Sequence, residues 1–159
     1  APDRYRVIAT GLKIEESDAD KEQREERQAP LTGLLGAVKT VLEAKVQEVR
    51  LSQRLTDSPV CLVVPDGGLS AHMERLLRAH DRETPSQKRI LELNPDHALV
   101  KRLMQLHEKN PASEKLIEYI EVLYDQALIT EGSTVADPQR FAKRMTRLLE
   151  DASSAALTD

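Results

Sequence analysis

Tryptophan is absent from this 159-residue chain, and one phenylalanine and three tyrosines are its only aromatic residues. Aliphatic side chains must therefore do most of the packing. A single cysteine, Cys61, excludes an internal disulfide and fits a reducing compartment. No apolar run approaches the roughly 18 residues that a membrane span requires. No charged-then-apolar N-terminal segment suggests a secretory signal. The four histidines are His72, His80, His97 and His107. Only His72 and His80 could share a helix face, and no cysteine or second acidic cluster completes a metal site. Ser58 follows Asp57 but lies outside any G-x-S-x-G turn. Gly67-Gly68 lacks the Lys and Ser/Thr of a phosphate loop and reads as a turn. Cys61, inside an apolar strand, reads as an inert buried thiol. No catalytic residue set emerges.

What is present is a soluble globular composition, 40% hydrophobic and 31% charged, long enough for one sizeable core. The net charge of −4 sits in one place. Residues 15–27 carry Glu15, Glu16, Asp18, Asp20, Glu22, Glu25 and Glu26 against Lys21, Arg24 and Arg27, which leaves the rest of the chain neutral. A neutral body with an acidic collar lacks the basic footprint of nucleic-acid binding. The collar itself is compatible with disorder or with a solvated helical extension.

Residues 5–14 read as two short apolar pieces about a Gly turn, the expected end of an upstream domain. A helix is predicted to start at Pro30, with Leu31, Leu34, Leu35, Val38, Val41 and Leu42 at helical spacing. Gly33 and Gly36 each cost that helix about 1 kcal/mol relative to Ala, so one stripe must be buried. Val46–Gln53 alternates as a half-buried strand, and Val60–Val64 is an apolar run suited to a more central one. Arg50, Arg54 and Asp57 are placed to pair at the sheet's edge. Leu69–His80 is amphipathic, with Leu69, Met73, Leu76 and Leu77 on one face, and a polar loop at Thr84-Pro85-Ser86 leads to a third strand, Arg89–Leu93. Asn94-Pro95, Asn110-Pro111 and Asp137-Pro138 each read as a cap followed by a first-turn proline, giving helices over 95–108, 112–130 and 138–150. Gly132 should end the middle one, and the tail 151–159 should fray.

The last two helices hold the surplus of apolar surface. On the first, Leu116, Ile117, Tyr119, Ile120, Val122, Leu123, Tyr124, Ala127, Leu128 and Ile129 spread beyond the single stripe that one core needs. The second adds Phe141, Met145, Leu148 and Leu149. The short connection 131–137 makes the pair an antiparallel hairpin. Either this surplus packs on the chain's own sheet, or two hairpins related by a two-fold axis close a four-helix bundle. Leu69–His80 poses the same choice between an exposed apolar face and one folded onto the sheet.

Three stretches have wording distinctive enough to carry a resemblance: Glu48–Val64 (E-V-R-L-S-Q-R-L-T-D-S-P-V-C-L-V-V), Ile90–His97 (I-L-E-L-N-P-D-H) and Leu123–Arg140 (L-Y-D-Q-A-L-I-T-E-G-S-T-V-A-D-P-Q-R). Together they resemble the C-terminal dimerisation domain of the heat-shock protein 90 chaperone family in its bacterial form, densely from about Gln28 to Glu150. The resemblance implies an α+β fold: a long helix, a small three-stranded mixed sheet with a crossing helix, and C-terminal helices forming an intermolecular four-helix bundle. It implies three parts: 1–27 as the end of a middle domain with an acidic linker, 28–150 as the dimerisation and client-binding domain, and 151–159 as a flexible tail.

By the same resemblance, Leu116, Ile120, Leu123, Tyr124, Ala127, Leu128, Phe141, Met145, Leu148 and Leu149 are expected at a homodimer contact. Leu69, Met73, Leu76 and Leu77 are expected to meet client proteins. Leu69 and Leu77 stand where some relatives carry Met and Phe, and Leu is less pliant, which bears on how broad a set of clients fits. ATP and Mg are expected only in an N-terminal domain outside this chain, which is itself no enzyme. The Met-Glu-Glu-Val-Asp tail that recruits tetratricopeptide co-chaperones is missing, which favours a bacterial or organellar origin, with the bacterial cytoplasm as the expected location. The expected partners are a second copy and unfolded clients, with neither nucleic acid nor membrane. The competing readings are a monomeric adaptor that captures a partner helix on 69–80, and a piece of an enzyme whose catalytic residues lie elsewhere.

Overall fold

A computed structural model describes residues 18–53, 57–81 and 87–158, with side chains from residue 28 onward. The order is α1 (Asp18–Leu42), β1 (Val46–Leu51), β2 (Val60–Val63), α2 (Ala71–His80), β3 (Arg89–Leu93), α3 (Ala98–Lys109), α4 (Glu114–Thr130) and α5 (Pro138–Leu157). This is the expected α+β chain, a mixed three-stranded sheet among helices. The two short pieces read in residues 5–14 lie outside the described residues, as do Arg54 and the Thr84-Pro85-Ser86 loop.

β3 is the middle strand, parallel to β1 and antiparallel to β2. The expectation that the apolar run of β2 is the more central one is corrected. All five residues of β3 are buried, whereas three of the four in β2 are only half-buried. A strand flanked on both sides needs both edges paired, and β3 gains this by receiving Leu51 and Val60 opposite Leu93. Cys61 is accordingly half-buried rather than enclosed. Arg50 pairs across the β1–β3 ladder with Glu92 at 2.8 Å.

One face of the sheet meets the core, built from Leu34, Val38 and Leu42 of α1, Val46, Val60, Leu91 and Leu93 of the sheet region, Val100 and Leu103 of α3, and Leu116, Ile120, Leu123 and Ala127 of α4. The i, i+4 spacing of Leu34, Val38 and Leu42 is the predicted stripe. α1 does not start at Pro30, however. It starts at Asp18 and carries Pro30 internally, so the acidic collar is helical from there on. Proline removes one backbone donor from a helix interior, a local cost that the long flanking segments absorb. Gly33 has a packing reason: a Cβ there would lie 3.0 Å from the His107 ring of α3. Gly36 has none, because its Cβ would meet nothing within 4 Å.

Two of the three expected caps fall elsewhere. Asn94 and Asn110 accept from the amides of Asp96 and Ala112, two residues on, which closes Asx turns and not helices. The caps are His97, whose Nδ1 accepts from Leu99 N–H at 3.1 Å, and Ser113, whose Oγ accepts from Leu116 N–H at 3.3 Å. Asp137 does cap α5, with Pro138 in its first turn. Gly132, at φ +87°, ends α4: its amide reaches the Ile129 carbonyl and the Ser133 amide reaches the Leu128 carbonyl, the two bonds of a Schellman motif. The stretch expected to fray from 151 is helical to Leu157.

Candidate functional site: two uncovered apolar faces

The α4–α5 hairpin is antiparallel and charged along its seam. Lys115 pairs with Asp151 at 2.9 Å, Glu118 with Arg147 at 3.4 Å, and Glu121 with both Arg140, at 3.7 Å, and the buried Arg144. These residues recur every three or four positions, so one edge of α5 is committed to holding α4. The neighbouring stripe of α5, Phe141, Met145 and Leu148, is left half-buried and Leu149 is 64% exposed. Below it runs a groove of about 850 Å³ between α3, α4 and α5, lined by Leu99, Leu103, Leu106, Val122, Met145 and Leu148 among others.

The residues expected at the dimer contact therefore divide. Leu116, Ile120, Leu123 and Ala127 lie in the chain's own core, with Tyr124 packed against it. Leu128 is half-buried, and the α5 set is the one left open. The main stripe of α4 is satisfied within the chain, while Ile117 and Ile129, outside that stripe, are exposed. Near it, burial raises the pKa of the Asp125 carboxyl above the ordinary range, and Lys45 and Arg144 only partly oppose this. Burial likewise raises the pKa of the Tyr124 hydroxyl, and Lys45 rests 5.4 Å from its ring.

The second face belongs to α2. Ser70 caps it by accepting from Met73 N–H, at the end of a turn in which Gly67 has φ +78°. Leu69, Met73, Leu76 and Leu77 are 41–53% exposed, so the helix is not folded onto the sheet. Its one buried residue is Glu74, paired with Arg89 of β3 at 2.5 Å. Arg89 also reaches Glu131 of the α4–α5 connection at 3.4 Å.

None of these charged residues was singled out from the sequence. The seam could have been found there, since acids at 118 and 121 and bases at 140, 144 and 147 share helical spacing. The Glu74–Arg89–Glu131 set could not, because its members come from three separate elements.

Among the described residues, no group of three His, Cys, Asp or Glu side chains could hold a metal ion, and no helix is long and apolar enough to cross a membrane.

A family model described as Hsp90 protein matches residues 5–158. Among curated relatives, the chain is similar to the chaperone protein HtpG of Myxococcus xanthus, 50% identical over 152 residues, covering 94% of this chain and 23% of the relative. HtpG of Geobacter metallireducens is 47% identical over 142 residues, covering 89% of this chain and 22% of the relative. HtpG of Mycolicibacterium vanbaalenii is 40% identical over 152 residues, covering 91% and 23%. The chain thus spans less than a quarter of the length of these relatives.

Proposed function

The chain belongs to the Hsp90 protein family, and we propose that it is the homodimerisation module of an ATP-dependent chaperone, with a client-binding helix attached. The observation that carries this reading is the incompletely covered stripe of α5, with Phe141, Met145 and Leu148 half-buried and Leu149 exposed, beside an open apolar groove. α5 also continues as helix past its last pair with α4, Lys115–Asp151, to a Leu157 that is 88% exposed. Apolar surface of this extent on a helix is stabilised by a second copy: two hairpins back to back form a four-helix bundle and bury both stripes. Obligate interfaces of this kind commonly exceed about 2,000 Å² in total.

Joining two protomers here keeps the rest of each chain at high effective concentration, so that domains which associate only transiently can meet. ATP and Mg belong to those other domains, and the bacterial cytoplasm is the expected setting. α2 supplies a second function. Its apolar face, directed to solvent, offers unfolded clients a surface that a folded monomer otherwise conceals.

The test is mass in solution. The chain is expected to run as a dimer of twice 17.8 kDa. Met145→Glu with Leu148→Glu should give a folded monomer. A double variant of unchanged mass would remove α5 from the interface, and a wild-type monomer at micromolar concentration would favour the adaptor reading. Leu123 is unsuited to this test because it is core.

A further inference from the structure

α2 is held to the fold by polar contacts rather than by its apolar side chains. Its three large apolar residues, Met73, Leu76 and Leu77, are exposed, as is Leu69 just before its cap, and Glu74 is its one buried residue. Several polar contacts attach it among the described residues. The Gln87 side chain accepts from Leu69 N–H at 3.0 Å and donates to the Leu69 carbonyl. Arg75 donates to the Glu131 carbonyl at 3.4 Å. Between them, Arg89 pairs with Glu74 at 2.5 Å and with Glu131 at 3.4 Å, and donates to the Gln87 carbonyl at 2.8 Å. The Arg89 and Glu74 side chains are each only 7% exposed. Ser133 holds Glu131 from the other side at 2.7 Å.

We propose that Arg89 is the positioning residue of the client helix: its guanidinium fixes α2 through Glu74 and registers it against the Glu131 turn of the α4–α5 hairpin. This rests on the reading of α2 as the client helix. Arginine suits the task because its planar fork spreads five donors in fixed directions, so one side chain reaches Glu74, Glu131 and the Gln87 carbonyl, where a lysine offers a compact ammonium with three. The buried Glu74 and the half-buried Glu131 share one guanidinium, and Lys45, Arg75, Arg78 and Lys88 line the same cleft of about 810 Å³, so both carboxylates sit among an excess of cations. A helix attached in this way keeps its apolar side chains free for clients, because the anchoring contacts are made by polar side chains and by the Leu69 backbone. The anchor also sits on the connection between the two dimerisation helices, so the orientation of α2 follows that hairpin.

The experiment is hydrogen exchange on the complete dimeric chaperone. Glu74→Gln leaves Arg89 and Glu131 in place, and it should speed exchange of α2 amides about tenfold or more. Amides of β3 and α4 should keep their wild-type protection. Arg89→Lys, which keeps the charge but loses the planar fork, should give an intermediate acceleration confined to α2, and Glu74→Asp should keep part of the protection. Unchanged α2 exchange in Glu74→Gln would overturn the proposal, and so would an equal acceleration across β3 and α4, which marks a merely structural ion pair. A client-aggregation assay on the same variants separates the two ideas. If α2 alone loosens while aggregation is suppressed as before, the positioning role stands and the client reading fails.

Discussion

Arg144 of α5 lies almost wholly buried against Glu121 of α4, the deepest of the ion pairs along the hairpin seam. A buried pair contributes little compared with a well-packed apolar substitute, but removing Arg144 leaves Glu121 with only the exposed Arg140 at 3.7 Å. Arg144→Ala is therefore expected to cost about 3 kcal/mol, read as a shifted denaturation midpoint. The dimer should weaken with it, because the seam sets the angle at which α5 presents its stripe. A loss below about 0.5 kcal/mol, the usual size of a surface change, would mean that Glu121 is solvated in solution.

Asp125 makes a prediction with a definite sign. Burial raises its pKa in the fold, so its protonated form fits better than its charged form. The stabilising effect of that preference is present below the ordinary carboxylate pKa and is lost as pH rises through the raised one. At pH 7 the ionised carboxylate is a net cost, and Asp125→Asn should raise the denaturation midpoint. The advantage should shrink toward zero when the same comparison is made near pH 4. A less stable Asn variant at pH 7 would show that attraction to Lys45 and Arg144 outweighs burial.

The two glycines of α1 should respond oppositely to the same change. Gly36→Ala enters open space and is expected to gain about 0.5–1 kcal/mol from helix propensity. Gly33→Ala must displace the His107 ring and is expected to forfeit that gain or lose stability. Equal gains in urea melts would show that α1 and α3 do not pack closely there.

Met73→Ser with Leu77→Ser should leave folding stability within about 0.5 kcal/mol, since both side chains are exposed. The dimer should persist, while the complete chaperone should lose suppression of client aggregation. A large fall in melting temperature would mean that the face is covered in solution.

The sequence by itself determined the periodic and chemically marked features. The stripe of α1, the alternation of β1, the Asp137-Pro138 start and the Gly132 stop are local signals, set by residues a few positions apart. So are the amphipathic patterns of α2 and α5, although only the fold shows that the apolar face of α2 is exposed. Tertiary structure alone decided which surplus was covered. Leu116, Ile120, Leu123 and Ala127 have the spacing of a single core stripe, while the resemblance put them at the interface; the fold settles them in the core, because spacing alone cannot say what lies opposite. Strand order was hidden for the same reason: β3, not the longer apolar run containing β2, has strands on both sides. The Asn-Pro pairs showed turn chemistry but not which turn, because an Asx turn and a helix cap use the same side-chain oxygen. Arg89 was the least legible residue of all. It sits in a short strand whose other charged residue, Glu92, pairs with Arg50, and its role depends on Glu74 and Glu131, which only folding brings to it from different elements.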